Sequence, residues 1–144
     1  MSAELQSPPR SFWIISVIAL LWNAIGVVTY LATVMMSEAT LAMLPEADQA
    51  LQANVPVLVT AAYAFAVHAG TLASVLLLLR RKWAIPLFVA SLAGILVQMG
   101  YGLAVSDLIE LKGLGAAVLP AVIVGVAVYL ATYSRKANAN GWLK

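Results

Sequence analysis

Six polar side chains inside the long apolar stretches of this sequence are the main candidates for any chemistry of the chain. The stretch "YAFAVHAGTL", residues 63–72, holds the only histidine, His68. The six are Asn23, Tyr30, Tyr63, His68, Gln98 and Tyr101. An imidazole titrates near neutral pH, and ionisable groups inside membranes often mark proton or solute sites. The structural alternative is a neutral ring, hydrogen-bonded to Asn23, Gln98 or a tyrosine, that holds helices in register.

The composition argues against several other kinds of site. The chain has no cysteine, which excludes disulfides, thiolate metal sites and a cysteine nucleophile. A catalytic triad needs an acid beside its base, and metal sites need several ligands, whereas the apolar stretches contain no carboxylate. No basic run with interleaved aromatics suggests nucleic-acid binding. We therefore predict a non-enzyme with no catalytic residue, metal, cofactor or nucleic-acid partner.

Four apolar segments dominate the chain. Of its 144 residues 63% are hydrophobic and 10% charged, against about 45–50% and about 25% in soluble domains. The segments cover approximately residues 12–36, 55–79, 83–105 and 114–133, and none contains Asp, Glu, Lys or Arg. About 20 apolar residues suffice for a helix to cross a bilayer, and barrel strands would alternate over shorter stretches. The sequence predicts one membrane domain, residues 1–144, folded as an all-α four-helix bundle.

The charged residues predict the orientation of that bundle. With four spans, seven of the eight basic residues fall on one side: Arg10, Arg80, Arg81, Lys82, Arg135, Lys136 and Lys144. The other side receives Lys112 and most acidic residues: Glu38, Glu46, Asp48, Asp107 and Glu110. Basic loops stay in the cytoplasm, so we expect both termini there.

The first acidic loop, "LPEADQALQAN", predicts a short amphipathic helix on the outer membrane surface. Pro45 suits a first helical position, and Glu46 and Asp48 in the first turn favour the helix dipole. We expect this helix to end near Asn54. The alternative is a solvated connector without regular structure.

Small and polar residues recur every three or four positions, which places them on one face of each predicted helix. These faces are Ser16, Ala19, Asn23, Gly26, Tyr30 and Thr33 in the first segment; Thr60, Ala64, His68 and Thr71 in the second; Ser91, Gly94, Gln98 and either Tyr101 or Gly102 in the third; and Ala117, Ala121 and Gly125 in the fourth. Helices in lipid associate by close packing and interhelical hydrogen bonds. We therefore expect the four faces to meet, with the six polar side chains clustered in the centre and outer half of the bundle.

Four stretches together carry a resemblance to a known group of proteins. They are "FWIISVIALLWNAIGVVTYL", "PEADQAL", "HAGTLASVLLLLRRKWAIPLF" and the terminal "GWLK". In these the chain resembles a family of small, four-span bacterial inner-membrane proteins, some of them labelled sugar transporters. The resemblance implies a location in the bacterial inner membrane and assigns no functional residue.

Two functions fit these observations. The first is an accessory or assembly subunit that acts through helix packing, as a homo-oligomer or in a larger membrane complex. The second is a small-solute, sugar-like carrier that works as an oligomer, with the six polar residues as its binding site. The lipid bilayer is a partner in both.

Overall fold

The computed structural model describes residues 6–144, and the regular structure of that part of the chain is helical. Its helices are α1 (Arg10–Val34), α2 (Glu38–Ala42), α3 (Glu46–Ala53), α4 (Val57–Leu78), α5 (Ala84–Ala104), α6 (Leu108–Lys112) and α7 (Val118–Ala139), with a 3₁₀ turn at Leu114–Ala117 before α7. Helices α1, α4, α5 and α7 are long and apolar enough to span a membrane. The predicted four-helix membrane bundle is confirmed.

The fourth span differs most from its predicted bounds. We expected it to end at residue 133, where the apolar run stops, but α7 continues to Ala139. Ser134 and Ala137 are fully buried in this extension. The helix continues because these small side chains pack against the rest of the bundle, although Arg135 and Lys136 between them are exposed.

The four long helices form a series of neighbours that does not close into a ring. Helix α4 packs on α1 and α5, and α5 also packs on α7, whereas α1 and α7 scarcely touch. We call the end that holds Arg10, Arg80–Lys82 and Lys144 the basic end, and the opposite end, with α2, α3 and α6, the acidic end. The basic half is the half of the four long helices nearer the basic end, and the acidic half is the half nearer the acidic end.

The hydrophobic core lies in the basic half. Its buried members are Phe12, Ala19, Ala73, Leu77, Ala84, Phe88, Leu130, Ala131, Ala137 and Leu143. They come from the start of α1 and α5, the end of α4 and α7, and the C-terminal segment. The ring of Phe12 meets that of Trp142 edge to face at 5.8 Å. Close packing is therefore concentrated at one end of the molecule.

Helices α4 and α7 end at the basic end in the same way. Beyond α7, Gly141 has φ +70°, and the N–H groups of Gly141 and Trp142 donate to the carbonyls of Asn138 and Ala137. This is the Schellman motif, in which glycine is the usual left-handed residue. Beyond α4, Arg80 takes that position with φ +58°, and the N–H groups of Arg80 and Arg81 donate to Leu77 and Leu76.

The Arg80 side chain joins three segments at this end. Its Nε donates to the carbonyl of Trp142 at 2.7 Å, and its Nη2 donates to that of Gln6 at 2.8 Å. The N–H of Gln6 donates to Gly141, and that of Lys82 to Lys144. The segment before α1, the α4–α5 link and the segment after α7 therefore form one hydrogen-bonded assembly, which we call the basic-end clasp.

The helix predicted in the first acidic loop is present as α3. Pro45 precedes its first residue rather than occupying it, and Asn54 caps its end as expected. Helix α2 was not predicted; the Ser37 hydroxyl caps it by accepting from the N–H of Thr40. Asp48 of α3 and Lys112 of α6 form an ion pair at 2.6 Å, so α3 is held against the second loop of the acidic end.

Candidate functional site

The six predicted polar residues fall into three settings. Asn23, on α1, lies at the middle of the bundle, where it faces α4 and α5. Tyr63, Gln98 and Tyr101 line a cavity at the acidic end. The ring of Tyr30 stands edge to face with those of Tyr63, at 5.2 Å, and His68, at 5.9 Å.

Asn23 joins α1 to α4 near the midpoint of the membrane-spanning region. Its Nδ2 donates to Ala19 O at 2.9 Å and to the Ser74 hydroxyl at 3.2 Å. The Ser91 hydroxyl of α5 donates to Ala66 O of α4 at 2.8 Å. Ser74 was not among the predicted polar residues, and a serine that lies beside alanines in an apolar run gives little signal of its own.

Gly70 makes this junction possible. A Cβ on Gly70 would overlap Asn23 Oδ1 and would lie 2.9 Å from Ser91 Oγ. Gly94 plays a similar part nearer the acidic end, since a Cβ added there would lie 2.9 Å from the carbonyl oxygen of Ala62. Small residues thus let α1, α4 and α5 approach closely enough for their polar groups to meet.

His68 does not face the interior of the bundle, and the expectation that it would was wrong. It is exposed near the midpoint of α4, and its Nδ1 bonds to the carbonyl of Ala64 at 2.6 Å. A carbonyl oxygen only accepts, so Nδ1 donates, and Nε2 has no partner among residues 6–144. The interior face of α4 consists instead of Val59, Ala66, Ala69, Gly70, Ala73, Ser74 and Leu77. Close approach favours these smaller side chains over an imidazole.

A cavity of about 590 Å³ with a partly polar lining lies at the acidic end. We call it the acidic-end cavity. Its polar lining consists of Thr33, Gln52, Thr60, Tyr63, Gln98, Tyr101 and Ser106. Leu51 and Gln52 bring α3 over it, and the Tyr101 hydroxyl donates to Asn54 O at 2.9 Å, which ties the end of α3 to α5. Tyr63, Gln98 and Tyr101 belong to the polar cluster predicted from the sequence. Thr33 and Thr60 belong to the predicted helix faces.

A second cavity, of about 290 Å³, lies deeper in the acidic half, and all four long helices line it. Helices α1 and α7 scarcely touch, and the lining residues Ile25 of α1 and Leu119 of α7 are both largely exposed, so the cavity is open on the side between these two helices. We call it the lateral cleft. Its lining is mainly apolar, with Ile25, Ile95 and Ile123 among its members. Tyr63 and Gln98 line both cavities, so the two adjoin at that level.

The side chains that line the two cavities are neutral. Among residues 6–144, none that lines either one is charged. Within the same part of the chain, no three His, Asp or Glu side chains come together as metal ligands would. What the lining offers a bound molecule is hydroxyl, amide and aromatic groups near the acidic end and hydrocarbon deeper down.

Comparison with known proteins adds no relative. A scan against protein-family models, a search of curated proteins and a search of solved structures each found no match to this chain.

Proposed function

We propose that this multi-pass membrane protein is a non-enzymatic accessory or assembly subunit, which acts by packing against a membrane partner through the face of α4 that carries His68. The observation behind this proposal is the exposure of His68 at mid-span. Polar and ionisable residues within membrane helices almost always face protein or a water-filled cavity. A partner that covered this face would take His68 out of contact with lipid.

The neighbours of His68 suit a helix–helix contact. Phe65 and Leu72 flank it one turn away on either side, and both are about half exposed, at 54% and 51%. With Ala61 they form an exposed stripe on α4 at helical spacing. A partner helix would pack on the apolar part of this stripe and would supply a hydrogen-bond partner for Nε2 of His68.

Purification of the full chain in mild detergent, followed by native mass spectrometry, tests this proposal. We expect either more than one copy per particle or a second protein that co-purifies. His68→Leu, which removes both ring nitrogens, should weaken the association about threefold or more, as expected for one membrane-embedded hydrogen bond. Thr132→Val is the matched control, because Thr132 is also exposed and bonds to a carbonyl of its own helix. A monodisperse monomer with no second protein would contradict the proposal.

The identity of the partner can be read from single-cysteine variants, since the chain has no cysteine of its own. Leu72→Cys on the His68 stripe should form a disulfide-linked dimer in membranes if the partner is a second copy. Val128→Cys, on an exposed part of α7, is the control and should not. If Leu72→Cys stays monomeric while a second protein co-purifies, the partner is a different chain.

We also propose that the protein lies in the bacterial inner membrane with its basic end in the cytoplasm. The distribution of charge between the two ends supports this orientation. A membrane-impermeant thiol reagent added to intact cells should label Glu46→Cys and should leave Arg81→Cys unlabelled until the cells are permeabilised. Labelling of Arg81→Cys from outside would reverse the orientation.

A small-solute carrier is the second candidate, and the acidic-end cavity is the observation that favours it. Carriers bind substrates near the middle of the membrane, and the polar lining reaches that region through Gln98. Nearer the basic end, however, there is a void of only about 20 Å³, lined by residues such as Asn23, Phe88 and Leu130. Transport would require the packed basic half to open.

Uptake into proteoliposomes separates the two functions. If the protein is a carrier, uptake of a sugar should be saturable and should fall in the Asn23→Ala/Gln98→Ala double variant. Equal uptake by the variant and the unaltered protein would remove this site, and uptake no greater than in empty liposomes would remove the carrier function.

A further inference from the structure

The acidic-end cavity and the lateral cleft together form a hollow whose polarity changes with depth. Near the acidic end its walls carry the hydroxyls of Thr60, Tyr101 and Ser106 and the amide of Gln52. Beyond Tyr63 and Gln98 the walls become largely hydrocarbon. A ligand that satisfied both parts would have a polar head and an apolar tail.

The depth of the hollow matches one leaflet of a bilayer. Along α1 its lining runs from Val34 to Trp22, which at 1.5 Å per residue is about 18 Å. The hydrocarbon core of a membrane is about 30 Å thick, so one leaflet contributes about half of that. The polar part therefore lies where lipid head groups begin, and the apolar part ends near the bilayer midplane.

The hollow is also open in the direction from which a lipid would enter. The gap between α1 and α7 faces the hydrocarbon of the bilayer, and residues at its two edges, Ile25 and Leu119, are 64% and 62% exposed. A water-soluble solute would need only the opening at the acidic end. The acyl chain of a lipid can pass from the hydrocarbon of the bilayer through the gap between α1 and α7 without crossing water.

The neutral lining also indicates that the polar head group of such a ligand is uncharged. Asp48 and Lys112, on elements next to the cavity, are bonded to each other. A charged head group placed among neutral hydroxyls and amides would have no counter-charge, which is costly away from water. The Tyr101 and Ser106 hydroxyls donate to the carbonyls of Asn54 and Gly102, so their oxygens can accept. A hydroxylated, uncharged head can donate to these oxygens and to the amide oxygens of Gln98 and Gln52, and it can accept from the Thr60 hydroxyl and the amide N–H groups.

We propose that this hollow is a binding site for a lipid with a small uncharged, hydroxylated head, of the acylglycerol class. The head lies among Thr60, Gln98 and Tyr101, and one acyl chain lies in the lateral cleft. This site is separate from the His68 stripe and does not depend on the partner proposed for that surface.

Photolabelling in phosphatidylcholine nanodiscs tests the proposal, with a diazirine-bearing monoacylglycerol as the probe. Labelling should be saturable, should be competed by unlabelled monoacylglycerol, and should map to peptides that contain Ile25 or Met99. Thr29→Phe fills the cleft and should reduce labelling about fivefold or more, whereas Val128→Phe, on an exposed part of α7 outside the cleft, should leave it unchanged. The Thr60→Val/Gln98→Leu double variant should lose about five- to tenfold, as expected for two membrane hydrogen bonds.

Two further arms identify the chemistry of the head. A phosphatidylglycerol probe with the same chain should label the cleft no more than background, and free glycerol should not compete. Equal labelling of Thr29→Phe and Val128→Phe would overturn the site. Strong labelling by the anionic probe would overturn its preference for an uncharged head, and competition by glycerol would show a water-soluble ligand instead of a lipid.

Discussion

The basic and acidic halves of this bundle are built from the same four helices, yet they pack in opposite ways. In the basic half, alanine, serine and a few large apolar side chains are buried against one another, and the clasp joins both ends of the described chain to the α4–α5 link. In the acidic half, the helices separate around cavities of about 590 and 290 Å³.

This difference follows from what holds helices together in lipid. Burial of apolar surface adds little there, because the alternative surroundings are also hydrocarbon, so association depends on close contact and hydrogen bonds. The basic half has both. The acidic half has its polar groups on the walls of a cavity, where they remain available to a ligand. The close packing and the proposed binding site thus lie at opposite ends of one bundle.

The largest expected effect comes from Gly70, where the packed region begins. Gly70→Ala should reduce the free energy of unfolding by about 3 kcal/mol, because its Cβ overlaps Asn23 and crowds Ser91. Gly125→Ala is the matched control, since a Cβ there meets nothing within 4 Å, and it should be neutral or slightly stabilising. Reversible unfolding in mixed micelles, followed by circular dichroism, measures both. Equal effects would mean that α1, α4 and α5 are not in close contact at Gly70.

A pair of leucines compares the two halves directly. Leu77 is fully buried in the basic half, whereas Leu119 at the edge of the lateral cleft is 62% exposed. Leu77→Ala should cost about 2 kcal/mol through lost packing, and Leu119→Ala should change stability little. The same unfolding experiment applies, and a similar cost for both would indicate that the gap between α1 and α7 is closed.

The clasp can be examined through Arg80, which has two opposing effects. Its side chain stabilises the clasp, but its left-handed backbone conformation is unfavourable for a residue other than glycine. Arg80→Ala loses the hydrogen bonds and keeps the strain, whereas Arg80→Gly loses the bonds and relieves the strain. We expect the alanine variant to be less stable than the glycine variant by about 1 kcal/mol. Identical unfolding midpoints would argue against a left-handed residue at position 80.

The smallest effect is expected at the Asp48–Lys112 pair on the acidic end. Both side chains are about one third exposed, so solvent screens their attraction, and Lys112→Ala should cost no more than about 0.5 kcal/mol. A double-mutant cycle with Asp48→Asn, measured at low and high salt, isolates the pair. A much larger, salt-independent coupling would mean that α3 and α6 form a rigid lid.

The sequence was sufficient to predict the four spans, because their length and lack of charge leave few alternatives, and it also predicted α3 from Pro45 and the acidic first turn. It identified the interior faces of α1 and α5, where small and polar residues share a face. It failed for α4, which has two candidate faces, one with His68 and one with Gly70 and Ala73. It also failed for α7, where Gly125 is exposed and Ala127 and Ala131 are buried.

These failures have one physical cause. Periodicity shows which residues share a face, but not which neighbouring helix that face meets. The choice between faces in α4 depends on how closely α1 and α5 can approach, which the sequence of α4 alone does not specify. For the same reason, the gap between α1 and α7, and with it the hollow, could not be predicted from the pattern of any one helix.

The most direct test of the contrast between the two halves is thiol labelling of four single-cysteine variants in phosphatidylcholine nanodiscs. Thr60→Cys and Ser106→Cys place the thiol in the acidic-end cavity, and Ser74→Cys and Ser134→Cys place it among buried residues of the packed region. A small water-soluble maleimide should react with the first two at least about tenfold faster, because core positions become accessible only through rare opening. Equal rates for all four variants would contradict the account, in which the acidic half holds an accessible cavity and the basic half is closely packed.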